Sequence, residues 1–250
     1  MNDEWTYETA PDLGQSVAAR IAGFPRYPDM TVYALRTLAH VALRAHLFAY
    51  HRLLIEGRAC LPLRESFVLA SNHTSHLDAL CLLSALPLLR LHRAFPAAAA
   101  DYFFSSPRRG VLSGILLNAL PFERERKGGE SLELCRQILA RPGHTLVLFP
   151  EGTRASGDEI GRFRSGIGRL VAGTAIPVVP CHLAGARQAF PKGALLPRPR
   201  RLVLRIGEPR RFEDVDPSDA GAVSAMCSAL RDDVVSLARA SVGASRSCAG

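Results

Sequence analysis

Short apolar runs alternate along this chain with stretches of helical spacing, and that alternation restricts the possible folds more than any other feature. Ser66–Ala70, Phe95–Ala100, Leu120–Phe122, His144–Phe149, Ile176–His182 and Leu202–Ile206 read as buried strands. Between and after them, 79–91, 107–117, 131–140, 166–173 and 222–240 read as helices, the first broken at Pro87 and the third stopped by Pro142 and Gly143. Strand and helix in turn predict an α/β fold with a mixed, largely parallel sheet flanked by helices. Pro177 and Pro180 argue that the fifth of these strands lies at a sheet edge or that they mark strand ends, since proline donates nothing to a ladder.

The division along the chain follows from the same pattern. Residues 1–56 hold a loose lead-in, with a short helix near 15–21, and an amphipathic helical segment over 30–54; 57–240 form the folded domain; 241–250 form a disordered tail. In the helical segment Val32, Leu35, Leu38, Ala39, Ala42, Ala45 and Ala49 gather on one side, and Arg36, His40, Arg44 and His51 on the other. These charges interrupt it too often for a bilayer span of about 20 apolar residues. Two readings stand: a surface helix packed on the domain, or a helix lying in lipid headgroups.

One polar octet interrupts the apolar pattern. Ser71-Asn72-His73-Thr74-Ser75-His76-Leu77-Asp78 falls at a strand-to-helix corner, where an α/β sheet exposes its working groups. Capping of the following helix accounts for Ser75 and Asp78, but not for two histidines. Two more strand ends are unusually polar, at Arg124 within Glu123–Gly129 and at Glu151–Arg154. The first could equally be a solvated charged loop. If the three corners meet in one crevice they supply an imidazole base with an orienting carboxylate, and arginines whose planar donors suit phosphate. That combination fits acyl or phosphoryl transfer without a protein nucleophile.

Charge narrows the partners. Lys and Arg number 31 against 23 Asp and Glu, a formal net charge of +8, which favours anionic partners. No aromatic-interleaved basic repeat or helix-turn-helix pattern points to nucleic acid. The six cysteines are scattered without a Cys-x-x-Cys pair and read as small buried hydrophobes in a reducing compartment. No charged-then-apolar secretory leader is evident, so a reducing cytosol is the expected setting; if the 30–54 helix lies in lipid headgroups, the expected location is the cytoplasmic face of a membrane, held peripherally.

His73 and Asp78, spaced His-x-x-x-x-Asp with Asn72 in front, and the block Phe149-Pro150-Glu151-Gly152-Thr153-Arg154 together resemble the glycerolipid acyltransferases of the lysophosphatidate (1-acyl-sn-glycerol-3-phosphate) acyltransferase type. The resemblance covers about 66–209. It implies that His73 deprotonates the acceptor hydroxyl and that Asp78 orients His73. It also implies that Glu151, Gly152, Thr153 and Arg154, with Arg124, hold the glycerol-phosphate part of the acceptor. Asn118 stands where the family's intermediate motif has glycine, and His76 becomes a spectator. The donor implied is an acyl thioester of coenzyme A or acyl carrier protein, with no cofactor or metal. The other implied partners are a lysophospholipid acceptor and an anionic membrane surface.

Two other readings compete. His73, His76 and Asp78 have the residue types of a metal site, which His144 or His182 would have to complete in a metal-dependent hydrolase. A catalytically silent lipid-binding protein would share the fold, and the intact His73 and Asp78 pair speaks against it.

Overall fold

The computed structural model describes residues 30–99, 117–118, 120–122, 129–155, 157, 159–191 and 193–240. The expected lead-in, the helix at 107–117 (except Leu117), Arg124 and the tail lie outside these.

Seven strands form one sheet in the order β1-β7-β6-β2-β5-β3-β4. They are β1 (Leu54–Glu56), β2 (Phe67–Ser71), β3 (Ala94–Ala99), β4 (Leu120–Phe122), β5 (Thr145–Leu148), β6 (Val178–Ala184) and β7 (Val203–Ile206). From β6 to β4 every neighbour is parallel; β7 runs antiparallel to β6, and β1 runs parallel to β7. The mixed, largely parallel α/β sheet expected from the sequence is therefore the fold. Leu54–Glu56, at the end of the expected amphipathic segment, pairs with β7 and so belongs to this sheet.

Helices cover both faces, which is why β2 is apolar at every position before Ser71. Phe67 and Leu69 look toward α1 (Met30–Ala49) and α2 (Leu77–Ala85), joining Leu47, Cys81 and Leu82 in one core. Val68 and Ala70 look the other way, toward α3 (Gly129–Ala140), α4 (Ser165–Val171) and α6 (Ala220–Arg239), with Cys135, Ile167 and Leu230 in a second core. Alternate residues of one strand thus serve two cores. Gly168 allows α4 to touch α6, because a Cβ there would lie 2.6 Å from Val223 Cγ1. The short helix α5 (Ala186–Ala189) follows β6.

The placement of β6 corrects the edge reading: it lies inside the sheet, between β2 and β7, while Pro177 stands at the strand's end, just before Val178. Cys181 pairs with Ile206, but Val178 bridges to Arg210. Two residues of β6 therefore face three of the partner. Pro180 sits at this one-residue bulge, where no regular ladder asks for its N–H, and its carbonyl accepts from Gly207 at 2.8 Å.

The thiols also depart from expectation at one place. Cys81, Cys135, Cys181 and Cys227 are free and buried, whereas Cys60 is disulfide-bonded.

The helix α1 forms where the spacing predicted, but its sides are turned. Val32, Arg36, His40 and Leu47 face the domain, while Leu35, Leu38, Val41 and Phe48 face solvent. Tyr33 stacks on His92 at 4.1 Å, and Arg44 donates to the carbonyls of Leu83 and Leu86 at the end of α2. Arg36 is 2% exposed, and burial pushes its guanidinium down to about 10. No helix among the described residues is long and apolar enough to cross a membrane.

Candidate active site

The site forms where β2 and β5 end side by side. Asn72 fixes the exit of β2: its Nδ2 donates to Leu183 O at 3.1 Å and its Oδ1 accepts from Leu183 N at 2.9 Å. That pair of bonds continues the ladder to β6 through a side chain. The next residue is His73.

Asp78, in the first turn of α2, is fully buried and reaches back under the corner. Its Oδ2 lies 2.9 Å from His73 Nδ1 and accepts from the backbone N–H of Thr74 at 2.6 Å and of Ser75 at 2.8 Å. The carboxylate thus does two jobs, closing the turn and holding the imidazole. Nδ1 donating to Asp78 leaves Nε2 as the basic nitrogen. The His73 side chain is 21% exposed, and its ring stacks on Phe149 at 4.2 Å, so its orientation is fixed on both sides.

The block after β5 is folded against this histidine. Glu151 is buried and divides its carboxylate between two amides, accepting from His73 N on Oε1 and from Gly161 N on Oε2, both at 2.9 Å. Ala155 N donates to His73 O at 2.8 Å. Glu151 therefore positions the His73 backbone. Gly152 has φ +75°, and a Cβ there would lie 2.7 Å from Arg164 Nε. The tight turn and the guanidinium crossing it both require glycine. Thr153 is exposed, and Arg154 is half-buried.

His76 is engaged in this structure rather than a spectator. Its Nε2 lies 2.8 Å from Arg154 Nη1, so it accepts a hydrogen bond that only the neutral ring can take. Burial, then the charges of Arg154 and His73, push His76 down to about 4 against the opposing pull of Asp78. A neutral histidine next to a cation helps to hold Arg154 in place. The spacing to Asp78 did not reveal this, because the partner comes from another strand end. Arg164, over Gly152, likewise lies outside any motif of the sequence, and only its place soon after the glutamate block points to it.

Asn118 has φ +49°, a left-handed conformation in which asparagine is the best tolerated alternative to glycine. Its buried Nδ2 faces Ala94 O at 3.2 Å and His92 O at 3.3 Å. The replacement is explained by backbone geometry plus two capped carbonyls. Arg124 lies outside the described residues.

His73, His76 and Asp78 are not completed as a metal site by His144 or His182. His144 precedes β5, at the opposite end of that strand from Phe149, and its Nδ1 faces the carbonyls of Arg141 and Pro142. His182 lies on β6, and burial and then Arg205 push it down to about 4. The Nε2 of His76 faces a guanidinium, which would repel a metal cation. Among the described residues no three His, Cys, Asp or Glu side chains cluster as ligands.

A buried carboxylate, an imidazole held by it and an arginine beside them gather at the carboxyl edge of a parallel sheet, an arrangement chemically able to move a proton next to a fixed cation. The acyltransferase family model matches residues 52–184, and the chain belongs to that family. The chloroplastic 1-acyl-sn-glycerol-3-phosphate acyltransferase LPAT1 of Arabidopsis thaliana is 30% identical over 151 residues, 59% of this chain and 40% of that protein. The 1-acyl-sn-glycerol-3-phosphate acyltransferase alpha of Mus musculus is 25% identical over 211 residues, 82% of this chain and 70% of the relative. The alignments span from 40% to 54% of the length of the plant and algal relatives. In fold, the chain is similar to the crystal structure of the 1-acyl-sn-glycerophosphate acyltransferase PlsC of Thermotoga maritima. The TM-score is 0.58 at 22% identity, over 84% of this chain and 80% of that one.

Proposed function

We propose that this protein is an O-acyltransferase. It moves a fatty acyl group from a coenzyme A or acyl carrier protein thioester to the free hydroxyl of a lysophospholipid, with 1-acyl-sn-glycerol-3-phosphate as first choice. The observation that carries the reading is the 2.9 Å contact between His73 Nδ1 and the buried Asp78, which leaves Nε2 to act as base. The names of the relatives supply the acceptor.

In this mechanism His73 Nε2 takes the hydroxyl proton as the oxygen attacks the thioester carbonyl. Asp78 balances the imidazolium that forms. When the tetrahedral intermediate collapses, the C–S bond breaks and His73 returns the proton to the departing thiolate. The ester and the free thiol leave, and the histidine is neutral again. Arg154, held by His76, faces the acceptor's phosphate, Gly152 and Thr153 shape the turn beside it, and Arg124 supplies a further cation. Glu151 keeps the His73 backbone in place. Because donor and acceptor are amphiphiles, the working location is an anionic membrane surface, met peripherally on its cytoplasmic side. The outward apolar face of α1 supports this.

The test is an acceptor panel with purified protein and radiolabelled acyl thioesters, with products identified by mass. Phosphatidate should form from lysophosphatidate. His73→Ala should lower kcat by about 10²–10⁴-fold with the circular-dichroism spectrum unchanged. Turnover unaffected by that substitution would sink the assignment of the base, and acylation of no acceptor at all would sink the reaction.

A further inference from the structure

The apolar side chains exposed on this molecule are concentrated in one neighbourhood. Of the ten large ones among the described residues, six belong to α1 and the residue after it. Two others, Leu195 and Leu196, are 95% and 78% exposed at the tip of the loop between α5 and β7.

That loop joins two functional places. It leaves through Phe190, whose carbonyl accepts from Ser75 Oγ at 2.9 Å and whose ring centroid is 6.1 Å from that of His76. Arg198 N donates to Ala189 O at 2.7 Å and closes its base. Tyr50 OH donates to Pro197 O at 3.1 Å, tying it to the end of α1. Leu202 N then donates to His51 O at 3.1 Å as the chain enters β7. Past the tip, Arg198, Arg200 and Arg201 are exposed, and no acidic residue lies between Phe190 and Leu202.

We propose that segment 195–201 is a membrane anchor distinct from α1, with Leu195 and Leu196 entering an anionic bilayer and Arg198, Arg200 and Arg201 on its phosphates. Two adjacent leucines in water beside three exposed arginines that form no ion pair among the described residues match the layered chemistry of such a surface, apolar below and anionic above. The continuity with the outward apolar face of α1, through Tyr50, points to the same occupant. Since the loop begins against Ser75 and His76, anchoring it seats the mouth of the site on the bilayer that holds the acceptor. Only that last step rests on the acyl-transfer reading; binding itself does not.

The experiment is flotation of the full chain with vesicles of phosphatidylcholine alone or mixed with phosphatidylglycerol, alongside sedimentation velocity without lipid. Leu195→Ser with Leu196→Ser should weaken binding to the anionic vesicles at least about tenfold. Arg198→Gln, Arg200→Gln and Arg201→Gln should each cost about fivefold on those vesicles and nothing on the neutral ones. All four variants should melt with the parent, and acylation of a short-chain, monomeric acceptor should keep its rate. If neither parent nor variants acylate any acceptor yet flotation falls, the anchor stands and the enzymatic reading fails. Flotation equal to the parent overturns the anchor. Dissociation of a dimer by the leucine pair with flotation unchanged also overturns it, because the face then belongs to a second copy.

Discussion

The helices α1 and α6 are both 20 residues long, and they are placed in opposite ways. In α6, Val223, Met226, Cys227, Leu230 and Val234 form one stripe against the sheet, as expected of a helix covering a core. Asp219 caps it, accepting from Gly221 N at 2.7 Å and Ala222 N at 3.1 Å. In α1 the buried seam carries Arg36 and His40, and Leu38 is 67% exposed. One helix has its solvent-hating side inside the protein; the other has it outside. Helical spacing fixes that a helix has two sides, and the surroundings decide which side turns inward.

The largest effect that separates the two helices should come from Leu230→Ala. The side chain is fully buried among Val68, Leu146 and Leu170, so truncation leaves a cavity and should cost about 2–5 kcal/mol in urea denaturation. A loss under about 1 kcal/mol would mean that α6 is not the packed partner of the sheet. On α1 the structural load is carried by a polar residue instead. Arg44→Ala strips the donors from Leu83 O and Leu86 O, at the end of the α2 helix that starts beneath His73. It should cost about 1–3 kcal/mol, and Arg44→Lys should recover part of that. If Arg44→Ala melts with the parent, the inward polar seam of α1 is not holding the helix.

Much of the site could be read from the residues because it is local. His73 and Asp78 sit within one strand-helix corner, and the turn that brings them to 2.9 Å is made by Thr74 and Ser75 themselves. The order of strand and helix likewise carried the fold class. What could not be read depends on contacts between distant segments. Pro180 looked like an edge residue because the bulge that accommodates it comes from residues 207–209 of the neighbouring segment. His76 looked idle because Arg154 reaches it from across the sheet edge. Asn118 looked like a departure in chemistry, and its φ of +49° shows that it is a backbone requirement met by a different residue.

The smallest stability change should come from the outward side of α1, and it sharpens the contrast most. Leu38→Glu with Val41→Glu removes no described core contact, since both side chains are exposed in the folded protein, much as they are in the unfolded chain. The melting free energy should therefore stay within about 0.5 kcal/mol of the parent, whereas the same change at Leu230 would unfold the domain. Lipid is where the cost should appear. Transfer of two apolar side chains into the headgroup boundary is lost and two negative charges meet an anionic surface, so flotation with phosphatidylglycerol vesicles should drop more than about tenfold. A variant that loses stability in water instead would show that this side is covered by protein. A variant unchanged in both measurements would leave the exposed face of α1 without a partner, and the inverted placement of that helix would need a different cause.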